Sequence, residues 1–145
     1  METSTYSFLD LSGAIAHPDL GAYLFTGQGI GSLTIALTND KTVQDVAADG
    51  SVMVSKIAGL TGMITINTQQ TSALHKWLLT AFNALYIAPT DRWALMTIAL
   101  RNTSDGTSHV ITGASFGKIP DKAYAAQGAQ VAWTLMAADI QSVAA

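Results

Sequence analysis

The alternation of apolar and polar residues at every second position restricts the fold of this chain more than any other feature. In residues 31–38, Leu33, Ile35 and Leu37 alternate with small or polar residues. A period of two is typical of a strand that buries one face. Segments 63–70, 93–101, 109–119 and 130–140 are also strand-like, and shorter strands are expected at 6–11 and 22–26. The chain is therefore predicted to be mainly β.

One segment has a helical period instead. Thr71 and Ser72 can cap a helix that continues to about residue 87, and Pro89 is expected to end it. Its apolar residues recur at spacings of three and four, which gives one stripe that can pack on a sheet. The residues expected to pack the helix on the core are Leu74, Trp77, Leu78 and Phe82. We predict a single flanking helix at about 72–87.

Residues 39–59 are predicted to form a long protruding hairpin. Asp49-Gly50 lies between the strand-like runs 42–48 and 51–57, and glycine accepts the positive φ of a tight turn. Both faces of this hairpin are partly apolar, which a small domain can hardly bury alone. The residues expected to mediate assembly are Val43, Val46, Asp49, Gly50, Val52, Met53 and Val54. The alternative is that the two arms are ordinary core strands.

These segments add up to about seven or eight strands and one helix in 145 residues, a length that suits a single domain over 1–145. The expected fold is an antiparallel β-sandwich or barrel with one flanking helix. Charged residues make up 12% of the chain, about half of the usual ~25% share. The surface is therefore either rich in uncharged polar groups or covered by partners.

Composition also excludes several classes of function. The net charge is −3 and no basic run occurs, so the electrostatic footprint of a protein that grips nucleic acid is absent. There are no cysteines, which excludes disulfides, thiolate metal sites and cysteine nucleophiles. No apolar run approaches the ~20 residues of a membrane helix, and residues 1–10 lack a signal-peptide pattern. We expect no membrane partner.

Neither a metal site nor a cofactor site is predicted. His17, His75 and His109 lie far apart and show no metal-ligand spacing, so we expect them at the surface or rim, with His75 on a solvated helix face beside Lys76. The aspartates fall mostly at turns and strand ends, where turn chemistry explains them. The cluster Gly27-Gln28-Gly29-Ile30-Gly31 is followed by a strand instead of a helix. It favours a bulge, a bend or a close backbone approach over a phosphate loop.

One catalytic motif matches by letter. Residues 113–117 have the pattern Gly-x-Ser-x-Gly, in which a hydrolase holds its serine on a strand-to-helix elbow. Here Lys118, Ile119 and Pro120 follow, which is a poor start for a helix, and no histidine lies downstream. We therefore predict that the protein is not an enzyme and has no catalytic residues.

Several runs, taken in order, resemble a known family. They are GIGSLTI at 29–35, ADGSVMVS at 48–55, GMITI at 62–66, QTSALHKWL at 70–78, TGASFGKIP at 112–120 and QGAQVAWTLM at 127–136. Together they resemble the tail tube proteins of contractile-tailed bacteriophages, a family long catalogued as a domain of unknown function. The resemblance spans about residues 5–140 and depends on the order of the runs, since none is chemically specific alone.

The resemblance implies a β-sandwich with a flanking helix, similar in fold to the type VI secretion tube protein. It implies a homo-oligomer of stacked, hexameric rings whose strands join into one continuous β-barrel. The bore of that barrel passes DNA during injection without binding it specifically. A tail sheath protein and a tape measure protein are the implied partners. The implied location is the virion tail, with assembly in the host cytoplasm.

Two alternatives remain open from the residues. One is the tube or terminator ring protein of a related injection machine. The other belongs to a different class, a monomeric β-barrel binding module or small hydrolase. Ring symmetry and the strands that face the lumen are not determined by the sequence pattern.

Overall fold

A computed structural model describes residues 2–27 and 29–144. Its α-helix is α1 (Ala73–Ile87). The strands in the described residues are β1 (Leu11–His17), β2 (Gly21–Thr26), β3 (Ile30–Leu37), β4 (Thr42–Val46), β5 (Val52–Lys56), β6 (Gly62–Gln69), β7 (Met96–Asn102), β8 (Ser108–Lys118), β9 (Gln130–Ala137) and β10 (Asp139–Val143). Period-two alternation predicted most of these strands to within about two residues at each end.

The strands form two antiparallel sheets and a separate hairpin. Sheet A contains β2, β1, β7, the first half of β8 and β10. Sheet B contains the second half of β8, then β9, β6 and β3. Strands β2 and β3 lie at the two ends of this strand order and are not paired with each other, so the arrangement is a sandwich and not a closed barrel. The predicted mainly antiparallel fold with one flanking helix is confirmed.

The two sheets are joined at a corner that the sequence pattern did not predict. The expected single strand at 130–140 is interrupted at Ala138, whose N–H donates to the carbonyls of Thr112 and Gly113. Gly113 has a φ of 65°, and a Cβ at that position would lie 2.7 Å from the Cβ of Ala138. A bend that transfers β8 from one sheet to the other requires a residue without a side chain here.

The expected strand at 6–11 is wrong. Residues Phe8–Asp10 form a 3₁₀ turn, in which the Ser7 side chain accepts a hydrogen bond from the N–H of Leu9, and β1 begins only at Leu11. Local side-chain-to-backbone bonds of this kind compete with strand pairing. A second 3₁₀ turn, Thr90–Arg92, has no side-chain cap, and β7 begins after it at Met96 instead of residue 93.

The core lies between the two sheets and under the helix. Sheet A contributes Ile15, Ile98 and Ile111, and sheet B contributes Ile64, Ile66, Trp133 and Leu135, all 0–1% exposed. An aromatic cluster connects these layers to the helix. The ring centroids of Phe116 and Trp133 are 5.6 Å apart, as are those of Phe82 and Phe116. Edge-to-face contacts of this kind add to the stabilisation from burial alone.

The helix covers the open side of the sandwich. Ser72 caps it by accepting a hydrogen bond from the N–H of His75 at 3.1 Å. Leu74 and Leu78 are buried, whereas Trp77 and Phe82 are half-buried and pack against the core. The Trp77 ring lies 5.8 Å from that of Tyr23 on β2. In the described part of the chain, no helix has the length and hydropathy needed to cross a membrane.

We predict that Phe82→Ala lowers the free energy of unfolding by about 3 kcal/mol, the lower end of the range for truncating a packed Phe, because the ring is only partly covered. Urea unfolding followed by circular dichroism measures the change. The matched control is Ile87→Ala on the same helix, where the side chain is 85% exposed and the expected loss is within about 0.5 kcal/mol. A loss well under 3 kcal/mol for Phe82→Ala would mean that this ring does not anchor the helix.

Candidate functional site: the assembly surfaces

The hairpin of β4 and β5 forms a separate two-stranded sheet. Its register runs from Thr42 opposite Lys56 to Val46 opposite Val52. In the connecting turn, the Asp49 carboxylate accepts a hydrogen bond from the N–H of Ser51 at 2.9 Å, and Gly50 has a φ of 89°. The bonds from the Ser51 backbone and side chain lower the pKa of Asp49. The turn chemistry expected of Asp49-Gly50 is therefore present.

The apolar side chains of the hairpin are exposed to solvent. The exposed fractions are 51% for Val43, 65% for Val46, 54% for Val52, 62% for Met53 and 60% for Val54. No residue of β4 or β5 is buried, so the alternative that these arms are core strands is wrong. An isolated two-stranded ribbon is marginally stable in water, and contiguous exposed apolar residues mark an interaction surface.

The outward face of sheet A is also apolar in its centre. Leu24, Ala14, Ala99 and Val110 form one row across four strands, because Ala14 pairs with both Leu24 and Ala99, and Ala99 pairs with Val110. Leu24 is 78% exposed and Val110 is 50% exposed. These side chains line a groove of about 900 Å³. Arg101 lies at one end of this face.

The outward face of sheet B is different in character. Its side chains are small or uncharged and polar. They are Ser32, Thr34 and Ala36 on β3, Met63, Thr65 and Asn67 on β6, and Ala132, Thr134 and Met136 on β9. Lys118, opposite Thr134, is the charged residue at the rim of this face within the described strands. The composition indicates a surface rich in uncharged polar groups. The pairing of β3, β6 and β9 places many of these side chains on the outward face of sheet B.

The literal Gly-x-Ser-x-Gly motif lies within strand β8. Ser115 pairs with Met136 of β9, and the strand continues to Lys118 instead of turning into a helix. In the described residues, no group of three or more His, Asp or Glu side chains is placed to hold a metal ion. The earlier glycine cluster forms the connection from β2 to β3, with Gly29 at a φ of 77° and Gly31 at a break in register. Gln28 of that cluster lies outside the described residues.

The expectation that the histidines lie at the surface is wrong for two of them. His17 is 2% exposed, and its Nε2 lies 2.8 Å from the Arg92 carbonyl. His75 is 3% exposed, and its Nδ1 accepts a hydrogen bond from the Trp133 indole N–H at 2.9 Å. His75 Nε2 is buried without a hydrogen-bond partner among the described residues. The partner of His75 comes from a strand 58 residues later, so local pattern did not reveal it.

The burial of His75 predicts that the folded chain is less stable at acidic pH. Desolvation, with a further contribution from the charge of Lys122, lowers the pKa of His75 below its ordinary value of 6.5. The unfolded chain therefore binds a proton here more readily than the folded chain, and stability falls as the pH drops below about 6.5. Urea unfolding at several pH values between about 7 and 5 measures this slope. His75→Gln, which has no titrating group, should show a shallower slope, and equal slopes would contradict the assignment.

Comparison with known proteins identifies the family. Residues 3–144 match the family described as Bacteriophage PhiTE tail tube protein. The chain belongs to this phage tail tube family. Membership assigns it a structural role in a tail tube, which is a non-enzymatic role, and places it in a phage tail or a related particle. No curated protein sequence matches the chain significantly.

Solved structures of contractile injection systems have the same fold as this member of the tail tube family. A chain of the anti-feeding prophage (AFP) baseplate is 13% identical with a TM-score of 0.67, covering 99% of this chain and 97% of its own. A chain of the PVC sheath–tube complex in the extended state is 16% identical with a TM-score of 0.53, covering 92% and 88%. A chain of the PVC sheath/tube terminator is 13% identical with a TM-score of 0.58, covering 98% of each.

Proposed function

We propose that this tail tube protein assembles as a single tail-tube-like domain into hexameric rings, which stack into a tube whose bore conducts DNA during injection. The observation that carries the proposal is the exposed apolar hairpin of β4 and β5, which has no core of its own in one chain. A neighbouring subunit supplies the missing cover. The AFP baseplate with a similar chain is described as six-fold symmetrised, which supports the ring size.

The uncharged face of sheet B lines the bore in this proposal. DNA is held by cationic groups that neutralise its phosphates, so a channel that must release DNA needs few of them. The centre of this face offers hydroxyl, amide and methyl groups such as those of Thr65, Asn67 and Ala132. The mildly acidic balance of the chain, a net charge of −3, further disfavours phosphate binding.

The proposed partners are those of a tail tube subunit. A tail sheath protein surrounds the tube, as the sheath–tube complex of the similar PVC structure suggests. A tape measure protein and then DNA occupy the lumen without specific binding. The subunits assemble in the host cytoplasm, and the finished tube is part of the virion. No catalytic step is part of this role.

Negative-stain electron microscopy of the purified protein tests the proposal. Rings with six-fold class averages, alone or stacked into tubes, are the expected result. Size-exclusion chromatography coupled to light scattering adds a mass for the assembled species. A protein that stays a monodisperse monomer at high concentration would overturn the proposal and favour a monomeric binding module.

A second candidate is a terminator ring of a related injection machine. The likeness to the PVC sheath/tube terminator favours it, since both chains are covered over 98% of their length. The same micrographs separate the two roles. A tube subunit continues to stack as its concentration rises, whereas a terminator stops at one ring. A sheath-like gene beside the gene for this chain would further indicate a contractile tail.

A further inference from the structure

The chain contains two Asp-Gly dipeptides, Asp49-Gly50 in the turn of the hairpin and Asp105-Gly106 in the turn between β7 and β8. Aspartate isomerises readily in this dipeptide, because glycine has no side chain to hinder attack by its own backbone nitrogen. Both dipeptides are therefore chemically competent for a spontaneous covalent modification, and their surroundings decide which of them reacts.

The modification is an intramolecular condensation followed by hydrolysis. The glycine nitrogen bonds to Cγ of the preceding carboxylic acid, the C–O bond breaks, and the hydroxyl leaves as water with the proton of the attacking N–H. Water then opens the succinimide ring at either of its carbonyls. Opening at Cγ restores aspartate, whereas opening at the main-chain carbonyl leaves isoaspartate, in which the main chain runs through the aspartate side chain. No other reagent is consumed.

The closed hairpin turn engages both reacting groups elsewhere. The Gly50 N–H donates to the Ala47 carbonyl at 2.9 Å, and the Asp49 carboxylate accepts from the Ser51 N–H at 2.9 Å. The bond from Ser51 also lowers the pKa of Asp49, which keeps the carboxyl in its ionised and less reactive form. The condensation therefore requires the turn to open.

The turn between β7 and β8 has the same two bonds. The Gly106 N–H donates to the Asn102 carbonyl at 2.8 Å, and the Asp105 carboxylate accepts from the Thr107 N–H at 2.9 Å. The bond from Thr107 likewise lowers the pKa of Asp105. The two turns are thus a matched pair as far as the reacting atoms are concerned.

The two turns differ in what their strands are attached to. Strands β7 and β8 lie inside sheet A, where β7 also pairs with β1 and β8 also pairs with β10. The N–H and hydroxyl of Thr103 donate to the Asp10 carbonyl at 3.1 and 2.9 Å, which ties this turn to the start of β1. Among the described strands, β4 and β5 pair with each other alone. An isolated ribbon opens far more readily than a strand pair inside a sheet.

We propose that Asp49 is a site of spontaneous isoaspartate formation in the folded, unassembled chain, and that the fold protects Asp105 from the same reaction. At each site the reaction proceeds in the molecules whose turn is open, so its rate follows the local opening equilibrium. Isomerisation at Asp49 inserts a Cβ carbon into the main chain of the turn. It therefore alters the connection that sets Val46 opposite Val52.

Ageing the folded chain near neutral pH, followed by peptide mapping, tests the proposal. Trypsin places the two sites on different peptides, 42–56 and 102–118, and an isoaspartyl methyltransferase labels the isomerised residues. Both sites should react at similar rates in the urea-unfolded chain. In the folded chain, Asp49 should stay within roughly tenfold of that rate, and Asp105 should be slower by about a hundredfold or more.

The matched control is Asp49→Glu, because the longer glutamate side chain does not close the same ring readily. It should remove the label from peptide 42–56, which also contains Asp45. Equal rates at Asp49 and Asp105 in the folded chain, or label on peptide 42–56 that persists in Asp49→Glu, would overturn the proposal.

A disulfide across the hairpin tests the opening step. The Ile57 N–H donates to the Lys41 carbonyl, so by antiparallel alternation Gln44 and Val54 form a non-hydrogen-bonded pair, in which the Cα atoms approach closely. Oxidised Gln44→Cys with Val54→Cys should form isoaspartate at Asp49 slower by roughly tenfold or more, and reduction should restore the rate. Equal rates in the two redox states would overturn local opening as the route.

A last step rests on the proposed tube function, in which a neighbouring subunit covers the hairpin. Freshly formed tubes and soluble chains are separated by sedimentation and aged side by side. Isoaspartate at Asp49 should form at least about tenfold more slowly in the tubes. Equal rates in the two fractions would overturn this protection and leave the tube role intact. A chain that forms neither rings nor tubes would overturn the proposed function and this protection together, whereas the comparison of Asp49 with Asp105 in the soluble chain would still decide the modification site.

Discussion

Replacing residues 45–54 with a short Gly-Ser turn is expected to leave rings intact and to abolish long tubes. The replaced segment contains most of the exposed apolar side chains of the hairpin, including Val46, Val52 and Met53, each more than half exposed. Among the described strands, β4 and β5 pair with each other and with no strand of the sandwich, so loss of the hairpin removes no strand from either sheet. Tube length and ring count in electron micrographs measure the effect.

A finer variant separates loss of the hairpin from loss of its apolar surface. Val46→Thr, Val52→Thr and Val54→Thr together keep the strand-forming β-branched shape while replacing a methyl by a hydroxyl at each position. These changes should shorten tubes almost as much as the replacement does. The matched control is Thr34→Val with Thr65→Val on sheet B, a pair opposite each other. Unaltered tube length in the triple hairpin variant would show that the apolar surface of the hairpin takes no part in stacking.

Trp133→Ala is expected to have the largest effect on folding. The Trp133 side chain is fully buried at the meeting point of the helix and sheet B, beside Phe116 and hydrogen-bonded to His75. Truncating a buried Trp costs about 3–5 kcal/mol, which is a large part of the ~5–15 kcal/mol total of a typical domain. Urea unfolding of the unassembled chain at 25 °C should show a midpoint shifted strongly toward lower urea concentration.

Trp133→Phe is the informative companion variant. It keeps most of the ring but removes the indole N–H that His75 Nδ1 accepts. Leaving a buried acceptor without its donor costs about 1–3 kcal/mol, so this variant should fold with reduced stability. Trp93→Phe, at a half-buried ring of the same cluster, is the control and should change stability less. Equal stability of Trp133→Phe and the unmodified chain would mean that the bond to His75 contributes nothing.

Local sequence pattern predicted the elements whose side chains alternate between large apolar and polar groups. Strand β6 is the clearest case, because Ile64 and Ile66 are buried while Met63 and Thr65 on the other face are half-buried. Strand β1 was missed since its residues, LSGAIAH, include small side chains on both faces. Its pairing with both β2 and β7 holds it in the sheet. Strand β2 follows β1 after a short turn, whereas β7 is distant in sequence.

The candidate site was predictable in part for the same reason. Asp49-Gly50 is local turn chemistry, so the hairpin was expected at residues 39–59 and is present at β4 and β5. Its isolation from both sheets was not encoded in the run itself, because the same residues would suit a core strand. The sheet A groove unites residues from β1, β2, β7 and β8, and no short window of sequence contains it.

The sequence alone determined that this chain is mainly β with one helix and a hairpin, because side-chain period and turn residues act over a few neighbouring positions. Only the tertiary structure decided which strands lie beside one another, where β8 changes sheets at Gly113, and that His75 is buried against Trp133. The physical reason is that alternation at every second residue shows which side chains share a face of a strand. The hydrogen-bond register between distant strands decides what that face packs against.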